Sequence, residues 1–191
     1  MRALFPLIAS ACLAAPAQAA WYLDYESSRL GFISSRDAGG AENNRFLVMH
    51  GNVDEKGQAS LRIELDSVQS GVPLRDERLK ENLFEVARFP EATVTAHLDL
   101  GPILGLASGA QLEMTLPLRL ELHGASHAYR AEVLVTRLDA RRFQVVTLSP
   151  LILQLGDFGL APGVERLRQL AGLKSIGLSV PVGAVLIFAE R

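Results

Sequence analysis

Apolar and polar residues alternate along much of this 191-residue chain with a period of two. Leu61, Ile63 and Leu65 alternate with Arg62, Glu64 and Asp66, the arrangement a strand needs when one face is dry and the other wet. Val94, Ala96, Leu98 and Leu100 repeat it against Thr93, Thr95, His97 and Asp99. The longest row is Leu112, Met114, Leu116, Leu118, Leu120 and Leu122. A helix would spread such a row around its whole circumference, so these segments are predicted to be strands. Further runs at about 23–34, 45–53, 129–138, 143–155 and 176–188 bring the expected strands to eight.

Most links between the runs are short and polar, such as Asp139-Ala140-Arg141, which favours antiparallel pairing of consecutive strands. Two are longer. Residues 69–90 predict a helix with Asp76 as N-cap and Leu79 and Leu83 on one face. Residues 156–175 predict a second, with Pro162 ahead of Val164 to Ala171 and Gly172 ending it. In this second helix Leu167 and Leu170 are expected to pack over one end of the fold, unless Arg166, Arg168 and Lys174 make it a small membrane-facing or partner-facing surface.

Eight long one-sided strands expose costly edges unless the sheet closes on itself. The expected fold is therefore all-β: an eight-stranded antiparallel up-and-down barrel, with one or two short helices in the longer loops. A two-sheet sandwich is the rival. Pro117, Pro150 and Pro181 each lack a ladder N–H, so bulges or broken pairing are expected there. The inward rows are almost wholly aliphatic, which suits either a solid core or a long apolar cavity. Periodicity does not separate the two.

Composition narrows the function. Residues 1–19 read as a secretory signal: Arg2 is the positive start, an apolar stretch follows, and Ala17-Gln18-Ala19 is the small-x-small cleavage pattern. A single domain then spans 20–191, and the expected location is the periplasm. The only cysteine, Cys12, leaves with the signal, so disulfides, thiolate metal sites and thiol nucleophiles are not expected in the mature chain. With 19 basic and 21 acidic side chains there is no basic excess to attract nucleic acid.

His123 and His127 are four apart, but Gly124 places them around a hairpin, so they are expected to be surface histidines and not metal ligands. His50 and His97 are assigned no role. Acidic residues mostly alternate outward with arginines, which gives acid–base catalysis nowhere to converge, and Gly39-Gly40 is too isolated to cradle phosphate. No enzyme activity is expected. Arg75-Asp76 is the most specific polar pair. It reads either as a helix cap with a solvated arginine or as a cavity rim at which a guanidinium holds a phosphate or quinone oxygen.

Residues 67–90 carry a recognisable series: Ser67-Val68-Gln69-Ser70-Gly71, then Arg75-Asp76-Glu77-Arg78-Leu79, then Leu83-Phe84-Glu85-Val86-Ala87-Arg88-Phe89-Pro90. In order and spacing it resembles the YceI-like family of periplasmic, lipocalin-like proteins that bind polyisoprenoids. Asp24, Ser28, Leu30 and Phe32 are similar to the family's opening strand, and Phe46 with Gly51 to its next. The segment from Leu120 to His127 resembles its hairpin, and Asp157-Phe158-Gly159 its D-F-G before the last strand. The chain departs from the family pattern at Leu83, at Glu121 and in lacking an Arg before Asp157.

The resemblance implies an eight-stranded barrel around an extended cavity that holds an isoprenoid chain, either a quinone tail or a polyprenyl phosphate. The ligand contacts it implies are the aromatics Phe32, Phe46, Phe84 and Phe158, with Arg75 and Asp76 at the rim. The aliphatic rows supply Leu61, Ile63, Leu65, Val94, Ala96, Leu98, Leu118 and Leu120. The only bound group expected is that lipid, with no separate cofactor. A transient membrane or envelope-protein contact and a homodimer stay open. The alternative is an envelope interaction module with a solid barrel and an apolar patch near Leu160 or Leu173.

Overall fold

The period-two rows do form strands. The computed structural model describes residues 21–37 and 39–190, so the secretory signal read over residues 1–19 lies outside the described residues. In chain order the strands are β1 (Trp21–Leu23), β2 (Arg29–Arg36), β3 (Gly40–Phe46), β4 (Met49–Val53), β5 (Gln58–Glu64) and β6 (Val68–Gln69). After these come β7 (Glu91–His97), β8 (Gln111–Leu122), β9 (Ala125–Arg137), β10 (Arg142–Thr147), β11 (Leu151–Gln154) and β12 (Ser179–Glu190). The helices are α1 (Pro73–Arg78), which runs on into a wide turn over Leu79–Phe84, then α2 (Leu100–Leu104) and α3 (Ala161–Ala171).

These segments make eight wall strands, because four pairs of segments are single strands interrupted by a kink: β1 with β2, β3 with β4, β5 with β6, and β10 with β11. Every neighbouring pair is antiparallel, and the order around the wall follows the chain. β12 pairs with β1, Trp21 opposite Glu190 and Leu23 opposite Phe188, and with β2, Phe32 opposite Val182. That closes the barrel and rules out the sandwich.

The kinks account for most differences from the expected runs. The run at 23–34 breaks after Leu23, where the Ser28 hydroxyl donates to the Asp24 carbonyl at 2.6 Å and accepts from Ile187 N–H at 2.9 Å. The run at 45–53 breaks at Leu47, and its first part belongs to β3, which begins at Gly40. Gly39, at φ 97, turns the chain between β2 and β3. β7 ends at His97, so Leu100 is not a strand residue: the Asp99 carboxylate accepts from Gly101 N–H at 3.1 Å and starts α2 instead.

Of the three prolines, only Pro150 interrupts a strand, between β10 and β11. The β8–β9 ladder runs unbroken through Pro117, opposite Arg130, while the β7–β8 ladder stops at Leu118. Pro181 pairs with Ile152 while the ladder to β2 starts at Val182. Each stands where one flanking ladder has ended, the edge-like setting in which a residue without an N–H is tolerated.

Asp76 is not the cap of its helix. The N-cap is Val72, with Pro73 opening the first turn, and the Asp76 carboxylate reaches back to the Ser70 N–H at 2.7 Å and hydroxyl at 2.5 Å. Leu79 and Leu83 are both buried, as their spacing predicts. α3 starts and stops where expected, ending on Gly172 at φ 66. Its packing residues are Val164 and Leu167, whereas Leu170 stays exposed.

α3 can approach the 79–84 turn closely because position 163 has no side chain. A Cβ there would fall 2.6 Å from the Asn82 carbonyl oxygen and 3.0 Å from Leu83 Cα, both backbone atoms. Gly163→Ala should therefore lower unfolding stability by about 1–3 kcal/mol by forcing the helix off the turn. Chemical denaturation monitored by circular dichroism measures the loss.

Candidate functional site

Alternate side chains of every wall strand point inward and enclose a cavity of about 280 Å³. β5 supplies Leu61 and Ile63, with Leu65 just past its end; β7 supplies Val94 and Ala96, with Leu98 just past its end; β8 supplies Leu118 and Leu120. The register stacks them in layers, with Leu61 opposite Val94, Val94 opposite Leu120, and Ala96 opposite Leu118. β9 continues the lining with Ala131, Val133 and Val135. Among the described residues no charged side chain lines the cavity, and Ser60 and Thr147 are its only hydroxyl residues. An ion inside would lose its hydration and gain no partner.

Aromatics fill one end. The rings of Phe32 and Phe46 lie 5.4 Å apart, and Phe84 packs on Phe46 at 5.8 Å. Phe84 and Leu83 reach the lining because the 79–84 turn folds across this end, backed by α3. At the other end Trp21 meets Phe143 edge-on at 6.1 Å, and Ile103 and Leu104 of α2 complete the lining. Arg137 spreads over the Phe143 ring, 5.6 Å from its centroid, and donates to the carbonyls of Leu104 at 2.7 Å and Leu106 at 2.8 Å. It thereby straps α2 over the opening.

Eleven of the fourteen expected site residues line this cavity, while Arg75, Asp76 and Phe158 do not. Arg75 is turned to Glu42, its Nη1 2.7 Å from Oε2, and the other carboxylate oxygen of Glu42 pairs with Arg36 at 3.2 Å. Asp76 is occupied by Ser70. Phe158 is fully buried beyond the end of the cavity, in a turn that folds beneath β9, stacked on Tyr129 and edge-on to His127.

The two hairpin histidines hold that same turn. His127 Nε2 lies 3.0 Å from the Asp157 carbonyl oxygen, and His123 Nδ1 lies 3.3 Å from that of Phe158. His123 is therefore not a surface residue: its ring packs on Phe89 at 4.2 Å and only 13% of the side chain is exposed. With Gly124 it forms the two-residue turn between β8 and β9, at φ 53 and φ 78, the left-handed pair that tight hairpins require. Arg88 foremost, and His123 with it, hold the Glu85 carboxyl below its ordinary pKa.

Trp21, Ile103 and Phe143 were missed as lining residues. Trp21 and Phe143 sit at strand ends, where a row is too short to show its period. Ile103 follows the Asp99 cap and Pro102, so a helix signal was present, but nothing local says which way such a helix packs. Leu160 is buried as well, so there is no apolar patch at that position.

This is a closed eight-stranded barrel around an apolar volume, the class in which the interior can hold one small ligand. The YceI-like domain matches residues 21–188, and the chain belongs to that family. A solved structure of a polyisoprenoid binding domain from Saccharophagus degradans, implicated in plant cell wall breakdown, is 37% identical, with a TM-score of 0.88 over 90% of this chain and 98% of that one. Burkholderia cenocepacia BcnA has the same fold at 14% identity and a TM-score of 0.66, over 86% of this chain and 98% of its own. A Campylobacter jejuni YceI protein shares it at 12% identity and a TM-score of 0.52, over 82% of this chain and 88% of its own. No curated protein sequence matches the chain.

The cover over the aromatic end carries one strongly perturbed acid. Glu165 of α3 accepts from Arg168 Nε and Nη2, both at 2.7 Å, and from Gln169 at 2.9 Å. These bonds, Arg168 foremost, bring its pKa from 4.5 down to about 2. Because the folded value is the lower one, this stabilisation is present above pH 4.5 and is lost as pH falls toward 2. NMR titration should find the Glu165 midpoint near 2, and Arg168→Gln should move it up toward 4.5.

Proposed function

We propose that the protein is a periplasmic carrier that sequesters an isoprenoid lipid, with the tail in the barrel cavity and no chemistry of its own. The observation that carries this reading is a cavity inside a closed barrel that, among the described residues, is lined without a single charged side chain. Such a lining holds no ionisable side chain among the described residues, and it suits a branched hydrocarbon. Each methylene moved from water into it contributes about 0.8 kcal/mol before ordering costs. The 37% identical domain described as polyisoprenoid-binding supports the same ligand class. The secretory pattern of residues 1–19 supports the location.

Protein purified from its native host and analysed by native mass spectrometry and solvent extraction should carry an isoprenoid in reproducible stoichiometry. Consistently empty protein that also takes up no added lipid would refute the reading. Trp21 is the only tryptophan and lies in the lining, so its emission should be quenched when a quinone with an isoprenoid tail is titrated in. Ala96→Trp, which fills the middle of the cavity, should abolish lipid uptake while the far-ultraviolet circular dichroism keeps its β signature.

A further inference from the structure

An isoprenoid lipid with an ionised head cannot bury that head in this cavity, so the head must lie against a polar surface that borders it. At the α2 end, the Arg137 guanidinium already donates to the carbonyls of Leu104, Leu106, Asp139 and Ala140. At the aromatic end, Arg75 and Arg36 share the Glu42 carboxylate. A third surface lies on the side of the barrel.

The ladder between the first two wall strands opens there. β1 pairs with β4 through Tyr22 opposite Asn52, and β2 pairs with β3 from Leu30 opposite Phe46, but the kinks at 24–28 and 47–48 leave the stretch between them unpaired. A groove of about 320 Å³ occupies the gap. Leu30, Gly31 and Phe46 line both this groove and the apolar cavity, so the two share a wall. Within that shared wall Gly31 presents no side chain.

Arg29 and Arg45 line the groove. Gly31 is directly opposite Arg45, which makes Arg29 and Arg45 diagonal neighbours on one face with the bare Gly31 between them. Among the described residues both guanidiniums have only neutral partners. Arg29 donates to the carbonyls of Glu26 at 2.7 Å and Ser28 at 2.6 Å, and Arg45 donates to the Gln69 side chain at 2.7 Å. Neither forms an ion pair among the described residues. Glu26, the single carboxylate among the groove's described residues, accepts from the Tyr25 hydroxyl at 3.4 Å. These contacts fix the guanidiniums in place while leaving a net positive charge to be met from outside.

We propose that this lateral groove seats the anionic head of the bound lipid, a phosphate or diphosphate held by Arg29 and Arg45, with the isoprenoid tail passing through the open ladder into the cavity. Paired guanidiniums suit phosphate oxygens and give a neutral quinone ring far less. The assignment rests on the isoprenoid reading above.

A matched pair of probes tests it: geranylgeranyl phosphate and geranylgeraniol, which share a tail and differ in charge. The wild-type protein should bind the phosphate at least tenfold more tightly than the alcohol. Arg29→Gln combined with Arg45→Gln should bring the two affinities together while leaving alcohol binding unchanged, which also shows that the variant is folded. Equal wild-type affinities, or a preference that survives the double substitution, would overturn the groove. So would a preference lost in Arg75→Gln but kept in the double variant, which places the head at the aromatic end. Inorganic phosphate alone should bind at least a hundredfold more weakly than geranylgeranyl phosphate. Equal binding would make the groove a free-anion site and overturn the lipid assignment. If the wild type takes up neither probe, the carrier reading fails, and the head-group assignment fails with it.

Discussion

Closure of the sheet between the first and last strands is the constraint on which the rest of the molecule depends. Each wall strand is dry on one face only, and a flat sheet of such strands would present its dry face to water. The pairing of Trp21 to Leu23 with Phe188 to Glu190 bends that face into an interior and removes the free edges at the same time. The kinks follow from closure as well. A strand that must leave one neighbour and join another needs a break in its ladder, and β12 meets β10, β11, β1 and β2 along its length.

Closure leaves two ends to be covered, and the chain covers them by different means. At one end a short helix is held down by a single arginine that hydrogen-bonds its carbonyls. At the other, a turn carrying Leu83 and Phe84 is clamped under α3, with two histidines fixing the segment that leads into that helix. Both covers place apolar side chains inward and leave their charges to solvent or to local partners. The outcome is a cavity that, among the described residues, is free of charged side chains.

The inward rows of β5, β7 and β8 were legible because alternation is a local property: a residue's face follows from the parity of its position once the strand is recognised. Leu61, Ile63, Val94, Ala96, Leu118 and Leu120 all line the cavity for that reason. The motif around Arg75 and Asp76 was legible as a landmark of the family, but its side-chain partners were not. Asp76 turned back to Ser70 and Arg75 turned to Glu42, and the second of these contacts crosses between elements that are far apart in sequence. His123 shows the same limit. Gly124 announced a hairpin, yet burial of the imidazole depends on Phe89 and Phe158, which arrive from elsewhere in the chain.

Local patterning was sufficient for the strand count, the antiparallel order, the apolar character of the lining and the start and end of α3, since each depends on neighbours within a few residues. Whether the interior was solid or hollow depended on how eight rows and two covers met. Side-chain volume along one strand does not reveal the radius at which the sheet closes. The opening between the first two wall strands belongs with the cavity. Residues 23–34 and 45–53 read as continuous runs, and it took their pairing with different partners above and below the kinks to separate them.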